Sequence, residues 1–443
     1  MDTDTLLQLD QNLNWHPCAQ MKDYETFKPL VIKSAYGSYI ELTNGKKIID
    51  AISSWWCKSL GHNHPQLKEA LVKQMEKFEH VLFAHTTHDI IVQLAQKLTA
   101  LSPNLNKVFY AGDGSSAVEI ALKMSVHARA LQNQKNRQQF IALKNGYHGE
   151  TVGALSVSDL GLYKQPYTSI LFSPIFIEAA YVDNLDDPLW KDASAHWLKT
   201  EKILEPYADT TTAIIIEPIV QGAAGMKIYS ADFLSRLASW AKHHGIHIIA
   251  DEIMTGIGRT GKMLACEYAH MEADFVCLSK GLTSGWLPFS VVLTSNAIYN
   301  LFYDDYDRGK AFLHSHTYSG NALGASLALA TLKIIEADTL CARACELQTM
   351  LYAHMQEIAD KTQLLHKVRA IGAIVAADFV WGHNEKLNQL LAQRAAEMGA
   401  LIRPIANMLY WLPPLNIPLQ TLVNLKNITL QALQQMRSHI SLE

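Results

Sequence analysis

Apolar residues recur along this chain in two rhythms. Short, largely apolar runs occur at 106–110, 140–143, 212–216, 247–250 and 275–278. Runs of that length without polar alternation predict strands buried on both faces, the pattern of a parallel sheet. Between them the apolar spacing changes to three and four. Ala117, Ile120, Ala121, Met124 and Ala128 share one helical face, and so do Phe233, Leu234, Leu237, Ala238 and Ala241. Ser230 stands where an N-cap belongs, and Gly245 where that helix should end. Ser116 and Glu119 have the spacing of a capping box for the earlier helix. Strand and helix in this alternation predict an α/β fold, a mostly parallel sheet covered by helices.

At either end of the chain the pattern differs. Residues 31–50 alternate apolar and polar positions about Asn44-Gly45, which predicts a strand hairpin. Beyond residue 335, 368–376 reads as a strand, 384–398 as a helix closed by Gly399, and 408–412 as a further strand. The expected organisation is a large domain over 65–334 and a smaller α+β domain over 335–443. The N-terminal segment 1–64 is expected to contribute to the small domain.

A chain of 443 residues accommodates both domains, and 49% hydrophobic residues are ample for their cores. A net charge of −4 without an arginine-rich arm argues against nucleic-acid binding. Small molecules and a partner subunit are the expected ligands. The acidic N-terminus lacks the features of a secretory signal, and charges interrupt every apolar run before it could span a bilayer. A soluble, cytoplasmic protein is therefore expected. The six cysteines form no Cys-x-x-Cys pair and read as reduced packing thiols. Histidines cluster at His62/His64, His85/His88 and His243/His244/His247, but none has metal-ligand spacing, and no metal is expected.

Two strand runs end in groups with chemistry. The run at 247–250 leads into Asp251 and that at 275–278 into Ser279 and Lys280, each at the C-terminal mouth of a parallel strand. An amine and a carboxylate so placed suit pyridoxal phosphate. The lysine binds its aldehyde covalently, and the carboxylate keeps its pyridine nitrogen protonated so that the ring accepts electrons. After the strand at 106–110, Gly112-Asp113-Gly114-Ser115-Ser116 offers glycines and a helix start to a phosphate, although it is no P-loop. Asn145-Gly146-Tyr147-His148-Gly149 offers an aromatic ring to one face of a flat cofactor, with Ile253 placed for the other. Taken singly, the glycine turn and the loop tyrosine read equally well as ordinary connections.

Together these segments resemble the class III aminotransferases of the pyridoxal-phosphate fold-type I superfamily. The resemblance rests on Glu217-Pro218-Ile219-Val220-Gln221-Gly222, on the motif from Ala250-Asp251-Glu252 to Gly258-Arg259-Thr260-Gly261, and on Ser279-Lys280-Gly281-Leu282. The interval of 29 positions from Asp251 to Lys280 suits the class. It spans nearly the whole chain, from about residue 9 to the C-terminal strand. Trp15-His16-Pro17, Ser53-Ser54-Trp55-Trp56, Gly146-Tyr147-His148-Gly149, Ile402-Arg403-Pro404 and Leu412-Pro413-Pro414 are similar to a biotin-pathway subgroup. Members of that subgroup aminate 8-amino-7-oxononanoate, usually with S-adenosylmethionine as donor.

The resemblance implies fold type I with a large cofactor-binding domain, in which Lys280 holds the cofactor, Asp251 faces the pyridine nitrogen and Tyr147 stacks on the ring. It implies that Gly114 and Ser115 bind the phosphate, and that Thr317 reaches the phosphate of a neighbouring subunit, making the active unit a homodimer. Arg403 would bind the acceptor carboxylate through a two-pronged contact. Trp55 and Trp56, with Tyr147, Lys280 and Ser315, would line the substrate site; for the two tryptophans, core packing is the alternative. Three positions depart from the subgroup. Cys18 replaces an aromatic residue, Glu150 an aspartate, and Ser315-His316 a Gly-Pro pair. These lie about the donor pocket and phosphate, and they leave as alternatives lysine as the donor to the same acceptor, or another class III ω-aminotransferase activity.

Overall fold

The computed structural model describes residues 1–439. Its centre is a seven-stranded sheet in the order Lys107–Ala111, Ser290–Thr294, Phe275–Leu278, His247–Asp251, Thr211–Ile216, Gln139–Leu143 and Ile175–Ile177. All strands run parallel except Ser290–Thr294, which is antiparallel to both of its neighbours. The apolar runs become the central strands: every residue of Thr211–Ile216, His247–Asp251 and Phe275–Leu278 is buried. Each fully buried Ile, Leu or Phe contributes roughly 1.5–3 kcal/mol through loss of hydrated apolar surface.

Ser230 caps the helix Ala231–His243 by accepting the Phe233 N–H at 3.1 Å, and Gly245 beyond its end takes φ +63°. The capping box expected at Ser116 and Glu119 does not form. Asp113 caps the helix Gly114–Leu131, accepting the Ser116 N–H at 2.9 Å. Glu119 instead reaches the Thr151 hydroxyl at 2.6 Å and the Gly153 N–H at 2.7 Å. A carboxylate one turn into a helix takes whichever donors lie nearest, and tertiary packing brings another loop within reach.

At the N-terminus, the strands Ile32–Tyr36, Tyr39–Leu42 and Lys47–Asp50 form an antiparallel meander with Gly45 in its turn. Lys47–Asp50 then pairs in parallel with Ala400–Leu401, joining the two ends of the chain in one sheet. The run at 368–376 is not one strand. It splits into Leu365–Ile371 and Ile374–Phe379, antiparallel about Gly372 at φ +53°, and Met408–Trp411 pairs with the second. A Cβ on Gly372 would lie 2.5 Å from the Arg259 carbonyl oxygen, so the turn is also a close approach of two backbones. Among the described residues no helix is long and apolar enough to cross a membrane, and no cluster of ligand residues could hold a metal.

Candidate active site

Asp251 ends its strand in register with Cys277 on the neighbouring parallel strand. Lys280 lies three residues past Cys277, where the chain turns into the 3₁₀ segment Lys280–Thr283 and Lys280 itself takes φ +42°. Positive φ at a lysine is a strained conformation that surrounding contacts must hold. Ser279 Oγ donates to the Phe289 carbonyl at 3.0 Å, and Gly281 packs so tightly that a Cβ would lie 2.6 Å from Ser59 Oγ. The Lys280 ammonium stands 4.7 Å from the centre of the Trp56 ring. Burial holds this amine below the usual lysine range, against the opposing pull of Asp251, Glu217 and Cys57.

The Asp251 carboxylate is fixed at both oxygens. Oδ1 accepts the Ile253 N–H at 3.1 Å, and Oδ2 meets Nδ1 of the fully buried His148 at 2.8 Å. His148 Nε2 has no hydrogen-bond partner, and the His148 backbone N–H donates to Ser158 Oγ at 2.9 Å. Beside this pair, Glu217 accepts the Tyr147 N–H at Oε1 and the Gly222 N–H at Oε2, both at 2.9 Å. Burial pushes its carboxyl up to about 7; His148 pulls it down and Asp251 pushes it further up. The Tyr147 hydroxyl donates to Glu150 at 3.0 Å, and burial, with that carboxylate, raises its pKa.

The glycine turn, the tyrosine loop and the end of the aspartate strand meet in one place. A Cβ on Gly114 would lie 3.0 Å from Ile253 Cδ1, and one on Gly149, at φ +128°, would strike the Ser115 hydroxyl. Glycine is needed at 149 both for its conformation and for this approach.

Trp55 and Trp56 sit on a strained segment in which Ser53, Ser54 and Trp56 all have positive φ. Asp50 holds it, accepting the Ser54 N–H at 2.7 Å and the Ile52 N–H at 3.1 Å. Trp56 is buried and donates from Nε1 to the Tyr410 hydroxyl at 2.9 Å. Trp55 is exposed, and the Arg403 guanidinium lies 4.4 Å above its ring. The structure therefore gathers Lys280, Asp251, Tyr147, Gly114, Ser115 and Trp56, and connects Arg403 to them through Trp55. Ser315 and Thr317 are exposed on a loop; His80 Nε2 donates to the Thr317 carbonyl at 2.9 Å.

Sequence reasoning singled out neither His148 nor Glu217, although both lie in the quoted motifs. The available signal was a titratable residue beside a loop tyrosine or just past a fully apolar strand. The donor set fits pyridoxal phosphate: a half-buried amine with lowered basicity, a buried carboxylate steered by a histidine, and a turn from which side chains are excluded.

These features suit a pyridoxal-phosphate site. The family profile of the class-III aminotransferases matches residues 20–433, and the chain belongs to that family. It is accordingly a pyridoxal-phosphate-dependent aminotransferase. More particularly, it is 40% identical over 420 residues to an adenosylmethionine-8-amino-7-oxononanoate aminotransferase of Helicobacter pylori, covering 93% of each chain. The enzyme of that name from Aquifex aeolicus is 36% identical, with 94% of each chain covered. The crystal structure of the Methanocaldococcus jannaschii enzyme of that name superposes with a TM-score of 0.89 at 32% identity, over 98% of this chain and 99% of the other.

Proposed function

We propose that the protein transfers an amino group to 8-amino-7-oxononanoate, giving 7,8-diaminononanoate for biotin synthesis, with S-adenosylmethionine as donor. One observation carries the assignment of the pocket. The adjacent Trp55 and Trp56 bear the Arg403 guanidinium at 4.4 Å and the Lys280 ammonium at 4.7 Å. A carboxylate anchor and the reacting amine thus each stand over one of two consecutive tryptophans, an arrangement that suits an elongated amino-oxo acid. The full-length likeness to relatives bearing that name supports the substrate.

Pyridoxal phosphate, when bound, supplies a conjugated ring that delocalises the electron pair left at a substrate carbon. Lys280 would hold the cofactor, and its Nζ would move a proton at the substrate carbon; an amine of lowered pKa has a larger neutral fraction for that task. Asp251, steered by His148, keeps the pyridine nitrogen protonated. Tyr147 would supply an aromatic face to the cofactor ring, and Gly114 and Ser115 would hold its phosphate. Arg403 binds the acceptor carboxylate, while Trp55, Trp56 and Ser315 line the substrate site. Thr317, exposed on its loop, serves the phosphate of a second subunit in a homodimer. Segments 1–64 and 335–443 form a small domain beside the large one at 65–334; the pairing of Lys47–Asp50 with Ala400–Leu401 supports this division. Six free thiols support a cytoplasmic setting.

The test is to mix holoenzyme with S-adenosylmethionine and with lysine separately and follow the cofactor absorbance. Conversion with S-adenosylmethionine is expected. Conversion with lysine alone would replace the donor and leave the acceptor reading standing.

A further inference from the structure

In the turn that carries the two tryptophans, Ser53 takes φ +50°, Ser54 +58° and Trp56 +65°. Side chains rarely adopt this region, and such a run persists only where its surroundings hold it. The hold comes from Asp50, whose side chain is fully buried. Its Oδ1 accepts the Ile52 N–H at 3.1 Å, and its Oδ2 accepts the Ser54 N–H at 2.7 Å. Oδ2 also meets Nε2 of His62 at 2.8 Å. A carboxylate only accepts, so the imidazole is the donor. Among the described residues His62 is the only side chain hydrogen-bonded to Asp50. Lys58 and Arg259 feel the Asp50 charge but donate elsewhere, to the Gly285 carbonyl at 2.8 Å and the Pro413 carbonyl at 2.6 Å.

Both members of this pair are tied to the N-terminal hairpin. The His62 N–H donates to the Gly37 carbonyl at 2.7 Å, and the Gly37 N–H returns to the His62 carbonyl at 2.9 Å. The Asp50 N–H donates to the Ser38 carbonyl at 2.8 Å. Asp50 also pairs with Leu401 in the parallel ladder, and the Ala51 N–H donates to the Leu401 carbonyl at 3.1 Å. Arg403 lies two residues beyond Leu401, with its guanidinium 4.4 Å above the Trp55 ring. One buried residue therefore anchors both partners of that stack, Trp55 through its side chain and Arg403 through its backbone. Trp56 has an anchor of its own in the Tyr410 hydroxyl at 2.9 Å, whereas the exposed Trp55 is placed by the turn.

We propose that Asp50 and His62 are positioning residues for the acceptor. The His62 bond keeps the Asp50 carboxylate aimed at the Ser54 N–H, and so holds Trp55 beneath the guanidinium that receives the acceptor carboxylate. This rests on the assignment of Arg403 to the acceptor made above. Both residues act through the turn and not by contact with substrate. Because the turn is held before the acceptor arrives, binding does not have to order it.

Holoenzyme kinetics with 8-amino-7-oxononanoate, beside the half-reaction with S-adenosylmethionine, test the proposal in His62→Asn and His62→Gln. Asparagine keeps a polar group in the site, but its short amide does not reach Asp50; the glutamine amide extends to about where Nε2 stands. His62→Asn should raise acceptor KM about tenfold, the loss of one hydrogen bond to a charged group. Its kcat should stay within about twofold, and the donor half-reaction should change less than the acceptor KM. His62→Gln should recover most of the loss. In an Arg403→Ala background His62→Asn should add less than about twofold, because the stack it supports is gone. A lowered unfolding midpoint with unchanged acceptor KM in His62→Asn would make the pair merely structural and overturn the proposal. Losses that multiply with Arg403→Ala would do the same. Arg403→Ala alone separates this proposal from the reading beneath it. Should it leave acceptor kinetics untouched, the carboxylate anchor is misassigned and the positioning role falls with it; should it weaken acceptor use while His62→Asn does not, only Asp50 and His62 fail.

Discussion

Glu217 offers a prediction whose sign and size both come from the site. Its carboxyl lies at 5% exposure with each oxygen accepting one backbone N–H. Burial raises it from 4.5 to about 7, a gap of roughly 3 kcal/mol at about 1.4 kcal/mol per pH unit. The folded protein therefore binds this proton more tightly than the unfolded chain. The stability it brings is complete below about pH 4.5 and is lost as pH rises through about 7. Glu217→Gln is neutral throughout, but its amide leaves one of the two N–H groups facing a donor, costing about 1–3 kcal/mol at every pH. At about 2 cal/mol/K per residue, 443 residues convert the pH-dependent part into about 2–3 °C of unfolding midpoint between pH 5 and pH 8. Wild type should lead the variant at pH 5, and that lead should shrink by this amount at pH 8. Glu252, also buried and raised to about 7, titrates alike in both proteins and cancels in the difference. Thermal unfolding of cofactor-free protein is the assay, since ligand linkage then does not enter. A lead that is constant, or that widens with pH, would refute the argument.

Three substitutions test the chemistry. Lys280→Ala should keep the fold and bind cofactor without a covalent link, seen as a changed absorbance band, yet lose turnover; near wild-type rates would remove Lys280 from its role. Asp251→Asn should lower the rate about a hundredfold or more, because an amide cannot hold the pyridine nitrogen protonated; the check is single-turnover kinetics beside an unfolding curve. Arg403→Ala should reduce acceptor kcat/KM roughly ten- to a hundredfold, from about 1.5–3 kcal/mol of charge-assisted pairing, with donor kinetics less affected. Arg403→Lys should recover only part, and unchanged acceptor kinetics would place Arg403 outside the pocket.

What could be read from the sequence was what the local backbone demands. The central strands, the Ser230 cap and the exit at Gly245 follow from burial periodicity and capping chemistry, which act over a few residues. Asp251 and Lys280 were legible as site residues because each ends an apolar run that must be a buried strand. That the two strands are neighbours, with Asp251 opposite Cys277, was decided by sheet assembly. The misread elements show the limit of local signals. The run at 368–376 is apolar except for Arg369, yet Gly372 folds it back because Arg259 and Thr260 press against its backbone. Glu119 had capping spacing, but a loop some 30 residues away offered better donors. His148 against Asp251, Glu217 beneath the Tyr147 loop and Arg403 over Trp55 join residues 103, 70 and about 350 positions apart. Such pairs leave no trace in periodicity. They form because buried polar groups must find partners, and only the packed chain determines which partners are within reach.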